Sequence, residues 1–172
     1  MQNFRYLRVL IYFVEMKRYL LILAIAIATV FEVNAQSMRF GERIPNIDVD
    51  SELGNELELA QKEHVCLVFI HSESRPCLEA FSNIQFLGDV LTSAMDLVII
   101  TAEERGCERN FAYLLEGLEH TVAYDVDHRT FKAFGIQYVP CCVIYETKRN
   151  RTVWFGGIQQ LNKETIKRII NK

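Results

Sequence analysis

Two uninterrupted apolar runs in the middle of the chain predict strands that are buried on both faces. The first is His64–Ile70, which is rich in β-branched and aromatic residues, and the second is Asp96–Thr101. Strands of this kind are typical of a sheet that helices cover on both sides. The pattern therefore predicts a central sheet.

Elsewhere apolar residues recur every three or four positions, which predicts amphipathic helices. The longest such segment is Pro76–Leu91, and a proline in the first turn is a common way to begin a helix. Shorter segments of the same kind predict helices at Asn110–Leu118, Arg129–Phe134 and Lys163–Asn171. Gly135 is expected to end the third of these four helices.

The remaining segments complete an alternating order of elements. His120–Tyr124 predicts a short strand, and Val143–Tyr145 with Thr152–Phe155 predicts a hairpin. Gly41–Leu59 is polar with short alternating stretches, which favours an irregular lead-in that contains a small hairpin. Strands that alternate with helices and end in a hairpin and a helix indicate an α/β domain with a mixed central sheet.

The first 35 residues have the features of an export signal. Two basic residues after Met16 precede the apolar run 19–31, and a small-residue cleavage site ends at Ala35. We predict that residues 1–35 are a signal peptide, with Met16 as an alternative start, and that residues 36–172 form the exported domain, periplasmic or secreted. Because the run is shorter than the roughly 20 residues that span a membrane, a retained anchor is the less favoured alternative.

Length and charge narrow the classes of function. The chain has 172 residues, half of them apolar, which is enough for one core and a short appendage. The 15 basic and 20 acidic residues beyond residue 35 give a formal charge of −5. Since nucleic-acid binding needs a basic face, we expect no nucleic-acid partner, and membrane contact only through an uncleaved signal.

Four short sequences lie at suitable spacing along the chain: Val68–Cys77, Tyr124–Asp127, Phe134–Pro140 and Trp154–Gly157. The first is a buried strand that runs into a helix start, and the third is an aromatic-glycine segment that leads to a proline. Together they resemble the thioredoxin-like proteins of the TlpA and ResA type, in the wider redoxin group. The resemblance implies a thioredoxin fold, a mixed central sheet flanked by helices, with Pro140 as its cis-proline.

The chain departs from this family at the site of its chemistry, where it has Ser74-Arg75-Pro76-Cys77. Family members that exchange disulfides use a cysteine at the position of Ser74, because a helix N-terminus favours the thiolate. A serine hydroxyl forms no disulfide and is a far weaker nucleophile without an adjacent base. The usual two-cysteine cycle therefore cannot run through this motif.

Cys77 stands at the position of the family's resolving cysteine. Either it forms mixed disulfides with thiol-containing clients, which persist when no second thiol releases them, or it is a small buried thiol. In the family the cis-proline loop lies against the active-site helix, so Cys141 is favoured as a second sulfur near Cys77 or Ser74. Neighbouring strand residues point to opposite faces, so only one of Cys141 and Cys142 is expected at the site. Two packed thiols are the alternative.

The other candidates carry weaker expectations. Cys107 is expected to be exposed, either idle or reactive with oxidants or a second chain, and Cys66 is expected in the core. His71 lies close enough to the motif to affect a thiolate, although a solvated histidine is the alternative. With Cys77 and Cys141 it offers a soft metal site in principle, but the spacing does not match copper-delivering members of the fold. We predict no metal and no cofactor.

Two functions remain as alternatives. One is thiol–disulfide exchange, or retention of thiol-containing clients, through Cys77 with Cys141 as a second thiol; as an enzyme it is at most an oxidoreductase without its usual nucleophile. The other is a redox-inactive module that binds extended polypeptide in the groove beside Pro140. Metal handling is a third and less favoured function. The candidate site residues are Cys77, Ser74, Pro140 and Cys141.

Overall fold

The computed structural model describes residues 39–51 and 62–171. The predicted signal peptide and residues 52–61, which include the end of the lead-in, lie outside the described residues. The domain itself is the unit Gln36–Lys172. Its described strands and helices are β1 (Asp50–Ser51), β2 (His64–Ile70), α1 (Arg75–Ala94), β3 (Met95–Thr101), β4 (Thr121–Tyr124), α2 (Arg129–Ala133), β5 (Cys141–Glu146), β6 (Arg151–Gly156) and α3 (Lys163–Ile170).

The strands form one sheet in the order β1-β4-β3-β2-β5-β6. β2 is parallel to β3, and β3 to β4, whereas β5 is antiparallel to β2, and β6 to β5. Every residue of β2 is buried, as its unbroken apolar run predicts. The predicted α/β domain with a mixed central sheet is confirmed.

The lead-in joins the sheet at two places. Arg43 forms an isolated bridge with Arg151 of β6, and β1 pairs antiparallel with β4 at the opposite edge. Between them the chain is irregular from Ile44 to Val49, as expected. The rest of the segment in which a small hairpin is predicted lies outside the described residues.

Helix α1 covers one face of the sheet. It begins after the N-cap residue Ser74 with a proline in its first turn, as predicted, and extends to Ala94. Its buried residues, spaced three or four apart, form one cluster with side chains of β2, β3 and β5. On its flank, Nδ2 of Asn83 donates to the carbonyl of Ile158 at 2.8 Å, which ties α1 to the segment before α3.

The other face of the sheet carries a second cluster around Phe69 and Phe134, whose ring centroids lie 5.4 Å apart. The start of α2 is fixed by Asp125, whose carboxylate accepts the backbone N–H groups of Thr130 at 3.1 Å and Phe131 at 2.7 Å. Gly135 follows with a φ of 63°, a left-handed conformation that commonly ends helices. The predicted end of this helix is confirmed.

The predicted helix over Asn110–Leu118 is wrong. Two short 3-10 turns stand there, Cys107–Asn110 and Ala112–Leu115. Phe111 lies between them with φ −135° and ψ −7°, and its ring stacks on Phe81 of α1 at a centroid distance of 5.1 Å. A helix this short gains little from its own hydrogen bonds, so burial of the Phe111 ring decides the local conformation.

Candidate functional site

Ser74 stands where the chain leaves β2 and α1 begins. Its backbone N–H donates to the carbonyl of His71 at 3.1 Å, and its carbonyl accepts the N–H of Leu78 at 3.0 Å. Its hydroxyl makes no capping hydrogen bond, and the residue is partly exposed. The hydroxyl is therefore available to a bound molecule at the positive end of the helix dipole.

Cys77 lies one turn further along α1. Its side chain is 0% exposed, in the cluster between α1 and the sheet. Its Sγ accepts the backbone N–H of His71 at 3.4 Å. Thiol exchange needs an accessible thiolate, so this enclosure shields Cys77 from the disulfide of a client.

A polar network beside the motif has Glu103 at its centre. The carboxylate accepts hydrogen bonds from the Ser72 hydroxyl and the Thr101 hydroxyl, each at 2.7 Å, and from the Ser72 backbone N–H at 2.5 Å. Nδ2 of Asn110 donates to the Ser72 hydroxyl oxygen at 3.1 Å, and Nδ1 of His71 lies 3.6 Å from the carboxylate. The network fixes the loop on which Ser74 stands.

Burial raises the pKa of Glu103, but the hydrogen bonds from Ser72 and Thr101 outweigh it, so the pKa falls below its usual value of 4.5. The sequence reasoning missed this residue. The available signal was topological: Ile70 and Thr101 are partners at the ends of parallel neighbours β2 and β3, and polar residues that follow such strands meet at one edge.

The peptide bond between Val139 and Pro140 is cis, which confirms the predicted cis-proline. Cys141, the next residue, pairs with Phe69 of β2, so Pro140 lies beside the end of β2 from which the motif loop departs. Tyr138 is 60% exposed. Within the described residues, no backbone-to-backbone hydrogen bond involves Tyr138 or Val139 outside helices and strands.

The two cysteines of β5 face opposite sides of the sheet, but the prediction that Cys141 faces Cys77 is wrong. Cys141 lies in the cluster around Phe69, on the face opposite α1, and burial raises its pKa to about 11. Cys142 lies opposite Val68 and shares the cluster of Cys77. The register of β5 against β2 decides which cysteine faces α1, because a shift of one residue exchanges the two faces.

Two further cysteines complete the description. Cys66 lies in the core, as predicted, and its Sγ is 3.3 Å from that of Cys142. Cys107 is half-buried rather than exposed, and burial, followed by the charges of Glu103 and Glu108, raises its pKa to about 11. Such a thiol is a poor nucleophile at neutral pH.

Residues 39–51 and 62–171 hold no group of three or more histidine, cysteine, aspartate or glutamate side chains placed to bind a metal ion. The combination of His71, Cys77 and Cys141 is divided by the sheet, since Cys141 lies on the face opposite Cys77. The same residues contain no helix long and apolar enough to cross a membrane.

No family model and no curated protein sequence matches the chain, but solved structures resemble it. A protein of Chlorobium tepidum assigned as the thiol:disulfide interchange protein DsbE has a TM-score of 0.64 at 17% identity, covering 78% of this chain and 99% of that one. A thioredoxin-like protein from Porphyromonas gingivalis has a TM-score of 0.56 at 16% identity, covering 77% and 95%. A peroxiredoxin-like protein from Aquifex aeolicus has 0.60 at 13%, covering 77% and 86%.

The fold is thioredoxin-like. At these identities the likeness establishes the architecture and leaves the chemistry to the residues of this chain. In this thioredoxin-like domain Ser74 and Pro140 lie at the same end of the inner strands β2 and β5, which we call the Ser74 edge. Cys77 is enclosed beneath Ser74, and Cys141 lies apart on the other face. Among the described residues, no cysteine sulfur is exposed at this end of the sheet.

Proposed function

We propose that this protein is an exported thioredoxin-like module that binds extended polypeptide at the edge formed by Ser74 and Val139–Pro140, without a disulfide-exchange cycle. The observation that carries the proposal is the complete burial of Cys77 beneath a serine. A client that reaches this edge meets a hydroxyl, which makes hydrogen bonds but no disulfide. Binding at this edge is therefore non-covalent and reversible.

The backbone beside Pro140 supports strand addition. The peptide groups of Tyr138 and Val139 make no backbone hydrogen bond outside helices and strands in the described part of the chain, and an extended peptide can pair with such groups. The exposed Tyr138 ring offers apolar area with a polar tip, which suits a binding surface. The Glu103 network holds the facing loop, so the edge is formed before a client arrives.

The test uses a polypeptide that carries no free thiol. Reduced and carboxymethylated α-lactalbumin, labelled with a fluorophore, is titrated with the full chain and binding is followed by anisotropy. We expect Cys77→Ala to bind as well as the wild type, and Tyr138→Ala to bind about fivefold more weakly. Tyr113→Ala is the matched control, because Tyr113 is also exposed, at 64%, but lies in the 3-10 turn Ala112–Leu115.

Two results would overturn the proposal. One is the absence of saturable binding to the blocked polypeptide, and the other is equal loss of binding in the Tyr138 and Tyr113 variants. Binding that requires a client thiol and disappears in Cys77→Ala would instead favour the second candidate, thiol exchange through Cys77. That candidate has one observation in its favour: the His71 N–H donates to the Cys77 sulfur at the start of α1.

A further inference from the structure

Cys66 and Cys142 lie side by side in the interior of the sheet. Cys66 of β2 pairs with Ile144 of β5, and Val68 pairs with Cys142. The two cysteines are therefore diagonal neighbours on the same face of adjacent antiparallel strands. Their sulfur atoms are 3.3 Å apart and both side chains are 0% exposed.

We propose that Cys66 and Cys142 form a cross-strand disulfide when the chain folds in the presence of a disulfide oxidant. One S–S bond forms between the two Sγ atoms as their two S–H bonds break. The oxidant, a small-molecule or protein disulfide, takes up the two electrons and two protons and becomes two thiols. The proposal is independent of client binding at the Ser74 edge.

The geometry favours this pair over the other cysteines. A disulfide needs sulfur atoms about 2 Å apart and Cα atoms within about 7 Å. The Cys66 and Cys142 sulfurs are already in contact at 3.3 Å. Because diagonal neighbours have Cα atoms about 7 to 8 Å apart, the two strands must also move slightly closer as the bond forms. Cys141 is separated from both by the sheet. Cys77 shares their face, but its sulfur already accepts the His71 N–H. Contact between two sulfurs thus singles out Cys66 and Cys142.

The same burial determines when the bond forms. The thiolate is the species that attacks a disulfide, and burial, with the neighbouring Cys66, raises the pKa of the Cys142 thiol well above its usual value. Both sulfurs are closed to solvent once the sheet is complete. Oxidation therefore precedes or accompanies folding, and the finished bond is protected from reductants in the folded chain.

Refolding of the full chain tests the site. The reduced chain is unfolded in guanidinium, diluted into oxidised glutathione, treated with N-ethylmaleimide, digested and analysed by mass spectrometry without reduction. We expect one linked peptide pair that contains Cys66 and Cys142, formed at least about tenfold faster than when the same glutathione is added to the folded chain. Cys141→Ala is the matched control and keeps the link, whereas Cys66→Ala leaves Cys142 free to react after denaturation.

A second readout does not depend on any variant that alters the core. The oxidised wild-type chain is expected to have a thermal midpoint about 5 to 15 °C above that of the reduced chain, because the link closes a long loop between β2 and β5. Three results of oxidative refolding would each overturn the proposal. They are a link from Cys142 to Cys77 or Cys141, stable glutathione adducts on both thiols, and free thiols at both Cys66 and Cys142. Equal midpoints for the linked and reduced chains would overturn the structural role of the bond.

Discussion

Ser74 and Cys77 differ from a dithiol site by a single atom, since an oxygen stands where disulfide chemistry needs a sulfur. The supporting parts are present: Ser74 is the N-cap residue of a long helix and is partly exposed, and Cys77 follows one turn later. A thiol placed at Ser74 would meet free N–H groups and the helix dipole, both of which stabilise a thiolate.

We therefore predict that Ser74→Cys gains disulfide reductase activity at least about tenfold above the wild type. The measurement is the rate of insulin precipitation with dithiothreitol as electron donor. Ser82→Cys is the matched control, because it adds an exposed thiol on the same helix but away from its N-terminus. A rate for Ser74→Cys no greater than that of Ser82→Cys would contradict this account of the helix start.

Glu103 gives a second prediction at the residue scale. The pKa of Glu103 is lowered in the folded chain, to below its usual value of 4.5. Its ionised form therefore stabilises the fold at pH values above the unfolded pKa. This contribution is lost as the pH falls through the folded pKa. Glu103→Gln is expected to lower the free energy of unfolding by about 1 to 2 kcal/mol at pH 7. The difference from wild type should shrink below about pH 4.

Urea denaturation across this pH range measures the effect. Glu104→Gln is the control, since Glu104 is the adjacent exposed carboxylate and its replacement should change stability by less than about 0.5 kcal/mol. A difference between Glu103→Gln and wild type that stays constant from pH 7 to pH 3 would show that the ionised carboxylate does not hold the loop.

At the scale of elements, the 3-10 segment between β3 and β4 depends on Phe111. Its ring is buried and stacked on Phe81 of α1, whereas Tyr113, two residues later, is exposed. We predict that Phe111→Ala lowers the free energy of unfolding by about 3 to 5 kcal/mol, and that Tyr113→Ala changes it by less than about 0.5 kcal/mol. Equilibrium unfolding in guanidinium compares them, and similar losses in both variants would refute this role for Phe111.

The elements that could be predicted from sequence are those whose own residues decide them. β2 is an unbroken apolar run, and α1 has a proline start and a continuous apolar face, so local pattern and final structure agree. After β3 the sequence pattern predicts the wrong structure, because Phe111 packs on a helix that is distant in the chain. Its conformation is set by that contact rather than by local periodicity.

The same distinction between local and distant contacts applies to the candidate site. Ser74, Cys77 and the cis-proline were predictable because they follow motif order along the chain. The sheet face on which Cys141 and Cys142 each lie could not be predicted, because it depends on the register of β5 against β2. The Cys66 to Cys142 contact likewise joins residues 76 positions apart. Local sequence patterns do not show how strands that are distant in the chain pair with one another.

At the scale of the whole domain, three cysteine sulfurs are buried under α1, away from the Ser74 edge. The sulfurs of Cys66, Cys77 and Cys142 lie in the cluster under α1, while the groups open to a client, at Ser74 and Tyr138, carry no sulfur. This separation would allow the proposed disulfide to form inside the domain while the proposed binding takes place at its surface. The two proposals therefore have independent tests.

The predicted export would place both proposed activities in one compartment, because structural disulfides persist mainly in oxidising compartments. We predict that the full chain, expressed in a Gram-negative bacterium, is recovered from the periplasm with Gln36 as its first residue, which intact mass and N-terminal sequencing would show. Ala35→Arg should block cleavage, because signal peptidase sites need a small residue there, and leave a longer chain with the membranes. If the wild-type chain is instead recovered uncleaved from the cytosol, the prediction of a signal peptide is wrong. The chain would then not reach the oxidising compartment that is expected to oxidise Cys66 and Cys142.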